Sequence, residues 1–279
     1  MSRRKGWFVR LRRSLRWVLR ILLIFLIADF VYLALIWPDW NKLAQGNIPK
    51  SSFMQQYEKK QAERGWPKLR WQPVPHAKIP RHMLRAVLLA EDSRFYEHSG
   101  FDLIAIREAL DYNLVRGEML VGASTISQQT VKNLYLSPAR NPLRKWHEMV
   151  LTWGLEHNLR KSRILELYLN VVEFGRGIYG VQAAAQAYYG VDVASLSLVQ
   201  AAELAASLPS PVKNNPVTRT ERFVRRTQRI LDLLTREHSA KAGATLVESP
   251  VQEATQPPIV SEEAPALAAD AVEALPAAQ

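Results

Sequence analysis

Apolar residues recur along most of this chain at spacings of three and four, the pattern of helices that bury one face. It runs through MLRAVLLA (83–90), IAIREALDYNLV (104–115), VLTWGLEHNL (150–159), ILELYLNVVEF (164–174) and LVQAAELAASL (198–208). No alternating apolar and polar stretch competes with it, so a mainly α fold is expected over residues 81–237. Start signals agree: Thr125 with Gln128, and Ser197 with Gln200, have capping-box spacing. A last amphipathic, cation-rich helix is expected over 219–237.

Three segments depart from that pattern. Residues 21–37 are apolar apart from Asp29, and with their flanks are about long enough to cross a hydrocarbon layer of ~30 Å. Residues 39–80 are mixed polar sequence with scattered Pro and Trp, a connector leading into the domain. Beyond Ser239 the chain is rich in Ala, Pro and Glu, with one Lys against six acids. It has too little apolar surface to offset its ordering entropy, so 238–279 are expected to be a disordered tail.

Composition changes this picture in one respect. The 279 residues are 48% hydrophobic, ordinary for one folded domain with appendages, but the formal charge is +11. Residues 1–20 hold eight of the cations and no acid, which leaves +3 for the rest. The excess is a basic arm that runs straight into the apolar span at 21–38. A retained single-pass anchor explains both features better than a cleaved leader, because no small-x-small cleavage site follows. Cationic flanks stay cytoplasmic, so everything after about residue 40 is expected to be extracytoplasmic. Trp17, Trp37 and Trp40 suit the two interfaces. Asp29 lies near mid-membrane, where a charge costs at least ~2.5 kcal/mol; protonation is the first expectation for it, and pairing with a partner helix the second. A nucleic-acid partner is not expected, since the charge sits on the arm and not across a folded face. With no cysteine, disulfides and thiolate zinc sites are excluded.

Candidate chemistry falls in three segments. AEDSRFYEHSGFD (90–102) ends an apolar run with Glu91 and Asp92 and adds His98 and Gly100, the grouping of a catalytic carboxylate with supporting residues. GASTISQQTVKN (122–133) offers hydroxyls and amides closing on Lys132, and RKWHE (144–148) two cations and a carboxylate. Together they point to an anionic substrate. Each has a plainer reading as well. Arg144 and Lys145 lie four and three residues before Glu148, the spacing of ordinary surface ion pairs, and Thr125 with Gln128 is sufficient as a helix cap.

These three segments, followed by ILELYLNVVEFGRGIYGVQAAAQAYYG (164–190) and AAELAASLPSPVKNNP (201–216), resemble in order the five motifs of the peptidoglycan glycosyltransferases, family 51 of the glycosyltransferases, over roughly residues 55–235. The resemblance implies a lysozyme-like, two-lobed helical domain behind a single N-terminal transmembrane helix. It also implies polymerisation of lipid II onto a growing glycan strand, with inversion and release of undecaprenyl diphosphate. Glu91 matches the family's catalytic glutamate, the expected general base. Glu148 matches the second essential glutamate, expected to orient cations that help the diphosphate leave. Asp92, Phe95 and His98 are expected to hold Glu91 in place. Substrate contacts are expected from Ser124, Thr125, Gln128, Gln129, Lys132, Asn133, Arg140, Arg144, Lys145 and Lys213, with Gln128 and Lys132 foremost. A divalent cation, Mg2+ or Mn2+, is a candidate companion of the diphosphate, with no covalent cofactor, and cell-wall synthesis or division proteins are candidate partners.

The fourth motif, with Glu166, Tyr168, Asn170, Gly175, Gly177 and Tyr179, reads mainly as a core helix followed by a glycine-enabled turn. Val191 stands where many relatives carry a basic residue. Both substrates keep their chains in the bilayer, so Leu114, Met119, Leu120 and Val121 are assigned to a membrane-dipping segment. Transpeptidation is not expected. SRRK (2–5) and SPVK (210–213) match a Ser-x-x-Lys element by accident, and no Ser-x-Asn or Lys-Thr-Gly element exists. Two further readings are a glycan-cleaving enzyme and an inactive membrane-tethered scaffold. The anchor and the cation cluster argue against the first, and the full set of charged motif residues against the second.

Overall fold

The computed structural model describes residues 2–116, 122–139 and 141–247. Its elements are overwhelmingly helical. The first, α1 (Ser2–Ile36), contains the expected apolar span and is the one described helix long and apolar enough to cross a membrane. The connector is more ordered than the sequence suggests. It holds α2 (Trp40–Gln45) and α3 (Ser52–Arg64), each started by a side-chain cap, from Asp39 and Ser51 respectively. Trp40, Leu43, Met54 and Tyr57 from these helices are buried in the same core as the rest of the domain.

The five periodic segments fall in α4 (Arg81–Glu91), α5 (Leu103–Arg116), α7 (Pro142–Asn158), α8 (Lys161–Val171) and α10 (Leu198–Ser207), the first capping box opens α6 (Ile126–Tyr135), and α9 (Val181–Tyr189) has no counterpart among them. Both expected capping boxes are present, at Thr125–Gln128 and Ser197–Gln200. The last helix, α11 (Glu221–Val247), starts after Arg219 and runs ten residues past its expected end at 237. Arg219 has a left-handed backbone (φ 41°), which the helix cannot include. The extension falls in SAKAGAT (239–245), where alanines favour helix. Residues 240–279 are a unit distinct from 2–239, and most of the expected tail, 248–279, lies outside the described residues.

Helix α8 is the centre of the domain. From Ile164 to Val171 all but Glu166 are buried, a helix apolar nearly all round because it is surrounded. It packs against α6 and α7, while α4 packs along α10. Ala201, Ala202, Ala205 and Ala206 make α10 narrow enough for that approach. A small sheet, absent from the sequence reading, has the order β1 (Arg70–Trp71), β3 (Ile178–Tyr179), β2 (Glu173–Gly175). β3 is parallel to β1 and antiparallel to β2. The β2–β3 hairpin turns at Gly177 (φ 73°), where a Cβ would stand 2.4 Å from the Tyr57 hydroxyl.

One side chain ties the connector to α8. Asn170 is fully buried; its Oδ1 accepts from the Val74 amide (2.7 Å), and its Nδ2 donates to the Val74 carbonyl (2.9 Å). Its own carbonyl accepts from Trp71 Nε1 at 2.9 Å. Asn170→Ala leaves both backbone groups of Val74 unpaired in the interior. It is expected to cost roughly 2–4 kcal/mol, read as a lower denaturant midpoint; a loss below about 0.5 kcal/mol would contradict this role.

Candidate active site

Helix α4 buries Met83, Ala86, Val87 and Leu88, and this fixes its rotation so that its last residue, Glu91, meets α6 and α11. The Glu91 side chain is 11% exposed. One carboxylate oxygen accepts from Gln129 Nε2 and the other from Arg226 Nη2, both at 2.9 Å. Arg226 also donates to the Ala90 carbonyl at 2.8 Å, which clamps the end of α4. Gln129 Oε1 faces the hydroxyl of the buried Tyr168 at 3.4 Å, and this fixes which end of its amide meets Glu91. Burial raises the pKa of Glu91 above the usual carboxylate value, while the Gln129 hydrogen bond and the charges of Arg226 and Lys132 pull it back. The site holds a carboxylate whose affinity for a proton is increased and whose oxygens are aimed.

The neighbouring residues form the frame. Buried Asp92 accepts from the Ile126 amide, in the first turn of α6, and from His98 Nε2, each at 2.9 Å. His98 Nδ1 accepts from the Gly100 amide (3.1 Å), so the ring proton sits on Nε2. Thr125 Oγ1 donates to the Gly100 carbonyl at 2.7 Å while capping α6. Gly100 has a φ of 93°, and a Cβ there would stand 2.9 Å from Thr152 Cγ2. Glu91 therefore projects from a junction of three segments that share Asp92, His98, Gly100 and Thr125. A cavity of about 250 Å³ opens beside it, lined among others by Glu91, Arg94, Asp102 and Ser124.

Helix α7 carries the second group. Buried Glu148 accepts from Arg144 Nη1 at 2.8 Å on one oxygen and from Lys145 Nζ on the other. Lys132, one turn after Gln129 on α6, lies in the field of both glutamates. Burial lowers its pKa, Glu148 and Glu91 oppose that change, and Arg144 and Lys145 add to it. The order along the site is thus carboxylate, amine, then a carboxylate with two cations.

Several expected contacts take other positions. Gln128 is consumed by the cap, its Oε1 accepting from the Thr125 amide at 3.0 Å, and the adjacent Gln129 reaches Glu91 instead. Phe95 is fully enclosed, with the Lys161 ammonium 4.4 Å from its ring centroid, and belongs to the core rather than the cleft wall. Asn133 is buried and donates to the Gln129 carbonyl at 2.8 Å, one turn back. Lys213 is exposed on the turn after α10 and contacts none of the groups around Glu91. Arg140 and residues 119–121 lie outside the described residues. Sequence reasoning set Gln129 behind Gln128 as a substrate contact, and gave Glu91 neither Gln129 nor Arg226 as a partner. A capping box that uses Gln128 frees its neighbour, about 100° round the helix, and that was the available signal for Gln129.

The raised pKa of Glu91 has a consequence for stability. A carboxyl group whose folded pKa lies above its unfolded value stabilises the fold below the unfolded pKa, and that contribution is lost as pH rises through the folded pKa. At neutral pH the ionised group is therefore a net cost. Glu91→Gln is expected to raise the thermal midpoint at pH 7, with the gain shrinking toward pH 4. Glu148→Gln, which strips two cations of their partner, is expected to lose roughly 2 kcal/mol at pH 7. Calorimetry across pH distinguishes the two, and a destabilised Glu91→Gln would contradict the electrostatic account.

Comparison with known proteins identifies the domain that carries these groups. The family model described as Transglycosylase matches residues 57–235, which include every group around Glu91 and Glu148. A biosynthetic peptidoglycan transglycosylase of Nitrosospira multiformis is 44% identical over 200 residues, covering 70% of this chain and 86% of its own. One from a Janthinobacterium species is 41% identical over 224 residues, 79% of this chain and 95% of its own. The match over residues 57–235, with relatives more than 40% identical over most of both chains, places this chain in the transglycosylase family, among the peptidoglycan transglycosylases.

Proposed function

We propose that the chain polymerises lipid II at the membrane surface, with Glu91 as general base. The 4-hydroxyl of the acceptor N-acetylglucosamine loses its proton to Glu91 as its oxygen bonds to the anomeric carbon of the donor N-acetylmuramic acid. The bond from that carbon to the diphosphate breaks with inversion, and undecaprenyl diphosphate departs. The observation that carries this reading is the Glu91 carboxylate, mostly buried, raised in pKa, and aimed by Gln129 and Arg226. A base must be ionised yet eager for a proton, and partial desolvation against two donors gives that balance.

Departure of the diphosphate needs positive charge where negative charge accumulates. Lys132, Arg144 and Lys145 supply it in this reading, with Glu148 holding the latter two in place. The donor set does not suit a divalent cation held by the protein. Both Glu148 oxygens are taken by cations, and Asp92 and Asp102, which lie near His98, are bound by their own partners. No step is assigned to a metal.

The apolar span of α1 serves as the anchor, with the basic arm cytoplasmic and the domain outside. Exposed apolar residues support contact with the bilayer: Leu110, Leu114 and Val115 on α5, and Leu143, Trp146, Met149 and Trp153 on α7.

Detergent-solubilised protein is expected to convert labelled lipid-linked disaccharide-pentapeptide into polymer resolved on a gel, and Glu91→Gln to be slower by ~10³-fold. No polymer from the parent would refute the reading. In the pH profile of kcat/KM, the acid limb reports ionisation of the base and should lie above the ordinary carboxylate range. Arg226→Met removes a charge that lowers the Glu91 pKa, so the limb should move to higher pH; an unmoved or lowered limb would count against Glu91 as the titrating base.

A further inference from the structure

An acid midway along an apolar span weakens an anchor, so Asp29 needs another reason to be there. The structure pairs it within the same chain, neither leaving it alone nor requiring a second molecule. Trp146 Nε1 donates to one carboxyl oxygen at 3.1 Å, and His147 Nε2 is 2.6 Å from the other. His147 is buried, and its ring lies 4.8 Å from that of Tyr32, one turn along α1. A second contact follows farther up. Gly154 of α7 leaves room for two indoles: a Cβ there would stand 3.1 Å from Trp37 and 2.7 Å from Trp40.

The two contacts are eight residues apart between Asp29 and Trp37, and seven apart between His147 and Gly154. At about 1.5 Å per residue these are nearly equal lengths, so the helix running up from the span and α7 lie side by side and point the same way. Beside the lower contact, a cavity of about 370 Å³ separates Phe25 and Ala28 from Leu143 and Arg144. Close packing does not hold the start of α7 there; the polar contact does. The residues it fixes are those next to Arg144, Lys145 and Glu148.

We propose that Asp29 is a positioning residue for the transglycosylase reaction. Through Trp146 and His147 it sets the rotation of α7, and with it the positions of Arg144, Lys145 and Glu148, the groups that meet the diphosphate of a lipid-linked substrate in the reading above. This rests on the lipid II reading above. The anchor is then part of the substrate site and not only a tether.

The test uses the full chain in phospholipid vesicles. Asp29→Leu makes the span more apolar, so membrane retention, checked by flotation, should be unchanged, and the thermal midpoint should change little. Its KM for lipid-linked substrate is expected to rise roughly tenfold, and exchange of the pair, Asp29→His with His147→Asp, to recover most of that loss. A parent-like KM for Asp29→Leu would overturn the proposal. A second measurement is independent of activity: the chain has no cysteine, so Asp29→Cys with His147→Cys can be treated in the membrane with a short bifunctional thiol reagent, which spans the length of the two replaced side chains, without background. An intrachain cross-link is expected, and its absence would overturn the contact itself. Lack of polymer from the parent would instead refute the lipid II reading, with the cross-link still deciding whether α1 and α7 meet.

Discussion

Keeping one carboxylate out of water, yet charged, is the constraint on which the rest of the domain depends. Glu91 ends its helix in a site dry enough to raise its proton affinity, and three other helices offset part of that cost. α6 sends Gln129, α8 orients Gln129 through Tyr168, and α11 sends Arg226. Each contributor must be rigid, because a carboxylate free to turn toward solvent would regain its water and its ordinary pKa. The central, fully enclosed position of α8 follows from the same need.

The second charged cluster obeys the opposite logic. Glu148 is buried more deeply but is matched on each oxygen by a cation, so its charge serves its neighbours. Lys132 lies between the two regimes and couples them, since its ammonium responds to both glutamates. The two charged clusters are thus linked through one residue, Lys132.

Much of this was legible in the sequence where a local rule had no rival. Five of the helices from 81 to 208 announce themselves by period, and both capping boxes by spacing, while the short α9 went unmarked. The motif order points to Glu91 and Glu148 before any geometry is known. The rest was hidden for physical reasons. Trp40, Met54 and Tyr57 enter the core from short helices whose other residues are polar, so no period marks them. Strands of two or three residues leave no alternation to read. Arg226 is one of four arginines between 222 and 229, and only the fold selects the one that turns toward Glu91. In the Gln128–Gln129 pair the spacing explains only the first residue, whose Oε1 closes the cap, and leaves unmarked the neighbour that reaches Glu91.

Helix α1 is 35 residues long, about 52 Å, well beyond the ~30 Å of a hydrocarbon layer. With its upper half fastened to α7, the surplus length lies at the arginine-rich end, whose long side chains can reach the interface from a range of depths. In the proposed orientation a membrane that thickens or thins would be accommodated on the side of the arm, and the height of Glu91 and Glu148 relative to the outer leaflet would stay the same.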